Sequence, residues 1–136
     1  MFLLDTNVVS ELRRSKPHGA VVAWLKGTPA DQLYLSAVTL GELQAGVEIA
    51  REQDEEAQEI EAWIDQVAEL WNVLPMDAAT FRVWARLMHR SADRLIEDAM
   101  IAATAFTHGL IVVTRNVRDF EPFSVKTFNP FTTPRR

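Results

Sequence analysis

The chain contains no cysteine, which excludes a disulfide framework and any thiolate-ligated metal centre. Its apolar runs fall far short of the roughly 20 residues that a membrane-spanning helix requires, so no membrane segment is expected. The N-terminus lacks the basic region and cleavage pattern of a secretory signal, which makes the cytoplasm the expected location. Glycine is scarce, with 5 in 136 residues, and no glycine-rich turn follows the first apolar run, so the phosphate-binding loop of a dinucleotide fold is missing. His18, His89 and His108 fall on separate predicted helices without ligand spacing, which argues against a zinc set or a histidine-based catalytic centre. Repeats, low-complexity tracts and linkers are also absent, and residues 1–136 are expected to form one domain with a sizeable core.

Charge is present but unevenly distributed. The formal net charge is −5, from 14 bases and 19 acids. Nine of the acids lie between Glu48 and Glu69, against the single base Arg51. The remainder then holds 13 bases and 10 acids, a net of +3. An evenly acidic surface would repel a polyphosphate partner, whereas a mildly basic remainder leaves one open.

Strand-like runs occur at Phe2–Leu4, Leu33–Leu35, Val73–Leu74, Leu110–Thr114 and Val125–Phe128. Helical patterns fill the intervals, an alternation that predicts an α/β fold with a mostly parallel sheet of about five strands flanked by helices. Helices are expected over Val8–Arg14, over Gly19–Lys26 and from about Val38. A fourth, over Asp54–Trp71, places Ala57, Ile60, Ile64, Val67 and Trp71 on one face and acids on the other. Pro75-Met76-Asp77 opens a fifth, with Phe81, Trp84, Ala85 and Met88 as its apolar stripe and Arg82, Arg86 and Arg90 on another face; Ser91-Ala92-Asp93 interrupts it. Asp98–Thr107 is nearly all apolar and alanine-rich, as suits a helix buried against the sheet. Pro130–Arg136 reads as a frayed basic tail.

Three acids occupy positions that solvation alone does not explain. Asp5 follows the first strand, Glu42 lies in the helix after the second, and Asp98 opens the buried helix. In a parallel sheet all three can converge at the carboxyl edge, where ligands bind. Clustered carboxylates repel one another unless a cation lies between them, and an all-oxygen set suits a hard ion such as Mg²⁺. Each acid also has a local reading. Asp5 fits a helix N-cap or a turn with Thr6 and Asn7. Thr39-Leu40-Gly41-Glu42 matches a capping box, and Asp98 suits the dipole at a helix start. The block Val113-Thr114-Arg115-Asn116-Val117-Arg118-Asp119-Phe120 brings further polar groups to the same edge. There Thr114, Asn116 and Asp119 either serve the site or form an ordinary turn in which Asp119 pairs with Arg115 or Arg118.

The blocks Leu4-Asp5-Thr6-Asn7-Val8-Val9-Ser10-Glu11, Leu35-Ser36-Ala37-Val38-Thr39-Leu40-Gly41-Glu42-Leu43 with Gly46, Asp98-Ala99-Met100-Ile101-Ala102-Ala103-Thr104-Ala105 and Val113–Phe120 resemble PIN-domain toxins of the VapC type, including the FitB-like branch. The ending Phe128-Asn129-Pro130-Phe131 is similar to that branch too. The resemblance implies a three-layer PIN-like sandwich and an Mg²⁺-dependent endoribonuclease, with Mn²⁺ as a substitute. It further implies the toxin half of a type II toxin–antitoxin pair, neutralised by a cognate antitoxin, dimeric, and touching operator DNA only through the antitoxin complex. By matching position it makes Asp5, Glu42 and Asp98 the metal-site acids and sets Thr6, Thr114 and Arg115 beside them. Asn116 falls where part of the family has a fourth acid, which leaves open whether Asn116 or Asp119 completes the site and whether one metal or two are held. The basic residues Arg82, Arg86, Arg90, Arg115 and Arg118 would then guide RNA, with the acidic helix facing away. Antitoxin binding would use apolar grooves around Trp24 and Leu43, residues that core packing explains equally well.

Two other classes compete with that reading. A strand-end aspartate can act as a phosphoryl-accepting nucleophile, but such enzymes need a second acid two residues on, where this chain has Asn7. A domain without catalysis could serve as a binding module for an antitoxin-like partner or nucleic acid; retention of all three acids counts against it.

Overall fold

The computed structural model describes residues 1–53 and 56–132. Five strands, β1 (Phe2–Leu4), β2 (Leu33–Ser36), β3 (Asn72–Leu74), β4 (Ile111–Val113) and β5 (Thr127–Phe128), form one sheet in the order β3-β2-β1-β4-β5. Every pairing is parallel, with Leu4 opposite both Leu35 and Val113. The expected "mostly parallel" sheet is thus wholly parallel, and its short apolar strands are those of a sheet covered on both faces.

The helices are α1 (Thr6–Glu11), α2 (Gly19–Lys26), α3 (Ala37–Glu52), α4 (Ala57–Leu70), α5 (Ala78–Met88), α6 (Ile96–His108) and α7 (Val117–Phe120). Alternation along each strand divides them into two layers. Leu3 and Val112 point to one face, where Ala99, Ile101, Ala102 and Ala105 of α6 cover them and Trp84 and Leu87 of α5 lie outside. Leu4, Leu35 and Val113 point to the other, beneath Val8 and Val9 of α1, Val21 of α2 and Val67 of α4. Alanine at the α6 contacts lets that helix approach the sheet closely, and Gly109 ends it in a left-handed conformation (φ 65°) that L side chains rarely adopt. Among the described residues no helix is long and apolar enough to cross a membrane.

Several local expectations shift. The first helix begins at Thr6, not Val8, because the Asp5 carboxylate caps it. The start assigned to the acidic helix at Asp54 lies outside the described residues, but its apolar face is as expected, with Ala57, Ile64, Val67 and Trp71 buried. On α5 the stripe is rotated: Thr80 is buried and Val83, Trp84, Leu87 and Met88 are half-buried, whereas Phe81 and Ala85 are exposed. Contact with α6 sets this face, through the Trp84 indole N–H donating to the Ile96 carbonyl (3.2 Å). The described part of the C-terminal segment is not frayed. Pro130 is buried, and the Phe131 ring lies beneath the Arg115 guanidinium (3.8 Å) with His18 at its edge (5.4 Å); residues 133–136 lie outside the described region.

Candidate active site

Because β1 and β4 are adjacent and in register, the residues after them meet at the carboxyl edge of the sheet. Asp5 is 4% exposed. Its Oδ1 accepts the Thr6 backbone N–H (2.8 Å), and its Oδ2 accepts the Thr114 hydroxyl (2.8 Å) and the Asn7 amide (3.2 Å). Asp5 is therefore the helix cap that local propensity suggested, and the same carboxylate is also bound to a residue from the far end of the chain. Burial pushes its carboxyl up from the ordinary range and the charge of Asp119 pushes it further, against the pull of the three hydrogen bonds.

Glu42 stands on α3, and the capping-box reading of it does not hold. Ser36 caps α3 by accepting the Val38 N–H (3.1 Å), which places Glu42 in the helix interior. Its Oε1 instead accepts the Thr6 hydroxyl (2.8 Å), which itself lies 3.0 Å from the buried Thr39 hydroxyl. Although Glu42 is exposed as a residue, desolvation on its protein-facing side raises its carboxyl, as do the charges of Asp5 and Glu97.

Asp98 lies in the first turn of α6, half-buried. Its carboxyl is pushed up to about 7, first by burial and then by the charges of Asp5, Asp119, Glu42 and Glu97. Four separate stretches of the chain thus contribute acids to one electrostatic cluster. Asp119, on α7, pairs with neither Arg115 nor Arg118. It accepts from Arg94 (3.2 Å), in the 3₁₀ turn Asp93–Leu95 before α6. Asn116 enters through its backbone, whose N–H donates to the Thr114 hydroxyl (2.9 Å), and its side chain is exposed. The Arg115 backbone N–H donates to the Asn7 side-chain oxygen (3.2 Å), while its guanidinium is turned onto Phe131.

Four participants escape a sequence reading. Asn7 bridges Asp5, Thr114 (3.3 Å) and the Arg115 backbone, Thr39 supports Thr6, and Glu97 and Arg94 act on the acids through charge. Only Asn7 left a signal, as a small amide two residues after a strand-end acid.

The donor set is entirely oxygen, the chemistry that Mg²⁺ or Mn²⁺ takes, and the mutual destabilisation of the acids is what a divalent cation would relieve. Among the described residues no three acidic or histidine side chains stand close enough to cage an ion between them. Direct ligation by Asp5, Glu42 and Asp98 together is therefore not the arrangement present, because Glu42 is held off on Thr6. The geometry fits an ion carried on one or two carboxylates with water completing its shell, which is the usual habit of Mg²⁺.

Residues 2–124 match the PIN domain family model. The chain is 36% identical over 138 residues to the VapC ribonuclease Y4jK of Sinorhizobium fredii, covering 96% of this chain and 98% of that protein. It is 35% identical over 137 residues to Toxin FitB of Neisseria gonorrhoeae, covering 96% and 99%. Its fold superposes with a TM-score of 0.84 on a chain in the structure of FitAB bound to an IR36 DNA fragment, at 31% identity and covering 99% of both chains. The chain belongs to the PIN-domain family, among the VapC and FitB-like toxins of toxin–antitoxin systems.

Proposed function

We propose that this chain is an Mg²⁺-dependent endoribonuclease, the toxin of a type II pair. The observation that carries the reading is the cluster of acids around Asp98, drawn from both faces of the sheet to its carboxyl edge and raising that carboxyl to about 7. Asp5 and Asp98 would hold the ion. When bound, Mg²⁺ supplies charge neutralisation at the phosphoryl oxygens and makes a nearby water more acidic. Asp5 is kept ionised and oriented by Thr6, Asn7 and Thr114. Glu42, with one oxygen committed to Thr6, keeps the other to accept the proton of the attacking water. Asp119 sets the local field, and Asn116 serves through water or not at all. Attack by water spares the 2′-hydroxyl, so the products carry a 5′-phosphate and a 3′-hydroxyl.

The cognate antitoxin has a ready seat. Thr6 and Glu42 open into a cleft of about 450 Å³ between α1, α3 and α4, whose wall includes Arg13, Leu43, Ile49 and Trp63. An amphipathic antitoxin segment laid there would cover the site entrance. Operator DNA is then bound by the toxin–antitoxin assembly, in which this chain is a homodimer. Trp24 is outside this cleft, against Phe2 and Phe128.

Purified protein incubated with cellular RNA should cut it in Mg²⁺ or Mn²⁺ and stop in EDTA, with 5′-phosphate ends. Removing a group that carries the metal costs several orders of magnitude in such reactions, so Asp5→Asn and Asp98→Asn should each lose about 100-fold or more in rate. Cyclic-phosphate ends, or cleavage that survives EDTA, would refute the reading.

A further inference from the structure

We propose that Arg94 is the residue that receives an RNA backbone phosphate at this site, held on Asp119 while the protein is free. This rests on the nuclease reading above and adds the residue that first meets the substrate. The ion pair is built in an unusual way. Arg94 precedes Leu95, which is 4% exposed, and Asp119 precedes Phe120, which is fully buried. Both hydrophobic neighbours belong to the same core cluster as Leu3. Leu95 N–H donates to the Ala92 carbonyl (3.0 Å) and Asp119 N–H to the Asn116 carbonyl (3.0 Å). The two backbones are therefore positioned by the core and their turns, and the ion pair is not needed to place them. With its side chain 70% exposed and Asp119 at 31%, the pair itself adds little to stability.

Its electrostatic position gives it a use. Asp119 acts on both Asp5 and Asp98, so a cation fixed on Asp119 stands at the rim of the acid cluster. A phosphodiester approaching Asp5, Glu42, Glu97, Asp98 and Asp119 meets an excess of negative charge that one divalent ion does not cancel. A guanidinium has five N–H donors in a planar fork. Arg94 gives one contact to Asp119 Oδ1, leaving donors on a solvent-facing head for a phosphate. Arg115 is less available for that task, because its guanidinium is stacked on Phe131.

The test uses a labelled mixed-sequence RNA oligonucleotide, with Ca²⁺ in place of Mg²⁺ during binding. Arg94→Ala should weaken binding about tenfold and reduce the slope of log affinity against log salt by about 0.7, the value for one phosphate contact on a single strand. Arg94→Lys should keep the slope while recovering only part of the affinity, since an ammonium lacks the fork. Mn²⁺ binding, followed by electron paramagnetic resonance, should be unchanged in both. Wild-type affinity and slope in Arg94→Ala would overturn the proposal. So would loss of Mn²⁺ binding in that variant, which would make Arg94 a support for Asp119. Failure of the wild type to cut RNA in Mg²⁺ would instead strike the nuclease reading, and the salt slope would still decide the role of Arg94.

Discussion

A single carboxyl, that of Asp98, records how strongly the site's acids repel one another. Its value moves from 3.8 to about 7, so between those pH values the folded protein binds a proton that the unfolded chain does not. Stability must then fall as pH rises through that window, and the cost is fully present above it. Water reaches the half-buried side chain and screens the repulsion, which brings the effect to about 1–2 kcal/mol. Without divalent ions, Asp98→Asn should match the wild type near pH 4 and exceed it by that amount near pH 8 in thermal unfolding. Added Mg²⁺ should raise the wild-type melting temperature and close the gap, because the ion offsets the same repulsion. A gap independent of both pH and Mg²⁺ would show that the acids do not share a field.

At the scale of the element, α3 matters because it carries Glu42. Ser36 is fully buried and its hydroxyl satisfies the Val38 N–H, so Ser36→Ala should cost about 1 kcal/mol in urea unfolding. The same variant should cut RNA more slowly, since a frayed first turn lets Glu42 drift from Thr6. Cleavage at the wild-type rate alongside the stability loss would mean that Glu42 is positioned by Thr6 alone. Helix α5 shows where one-dimensional patterning falls short. Phe81, Trp84, Ala85 and Met88 form a fair helical stripe, yet the true contact face is turned toward Thr80, Val83 and Leu87. The face is decided by how α5 lies against α6, with Met76 on Thr104 (3.3 Å) and Trp84 on Ile96, and such crossings leave no mark in a single helix's period.

At the scale of the whole molecule, charge is partitioned between an acidic α3–α4 hairpin and a mildly basic remainder. Arg82 and Arg86 lie exposed on α5, whose later half runs beside the first turn of α6. Reversing both to Glu should weaken RNA binding and flatten its salt dependence by about one unit of slope, measured by fluorescence anisotropy across a salt series; unchanged binding would confine RNA to the loops around Arg94 and Arg118. The sheet was legible in the sequence because buried parallel strands are continuous apolar runs, and Asp5, Glu42 and Asp98 because acids beside such runs are conspicuous. Strand order, the Ser36 cap in place of a capping box, and the Arg94–Asp119 pair were not. Those depend on which loops meet in space, and Arg94 is separated from Asp119 by α6 and β4.

The Thr114 to Asp5 hydrogen bond joins residues 109 positions apart in the chain. Ordering both partners requires β4 to insert beside β1, a long-range closure of the kind that slows folding. The catalytic pocket is therefore a late product of folding: a chain that has formed its α3–α4 hairpin but not seated β4 holds the acids apart. Partially folded molecules are thereby inert, and the toxin's chemistry is switched on by completion of its own sheet.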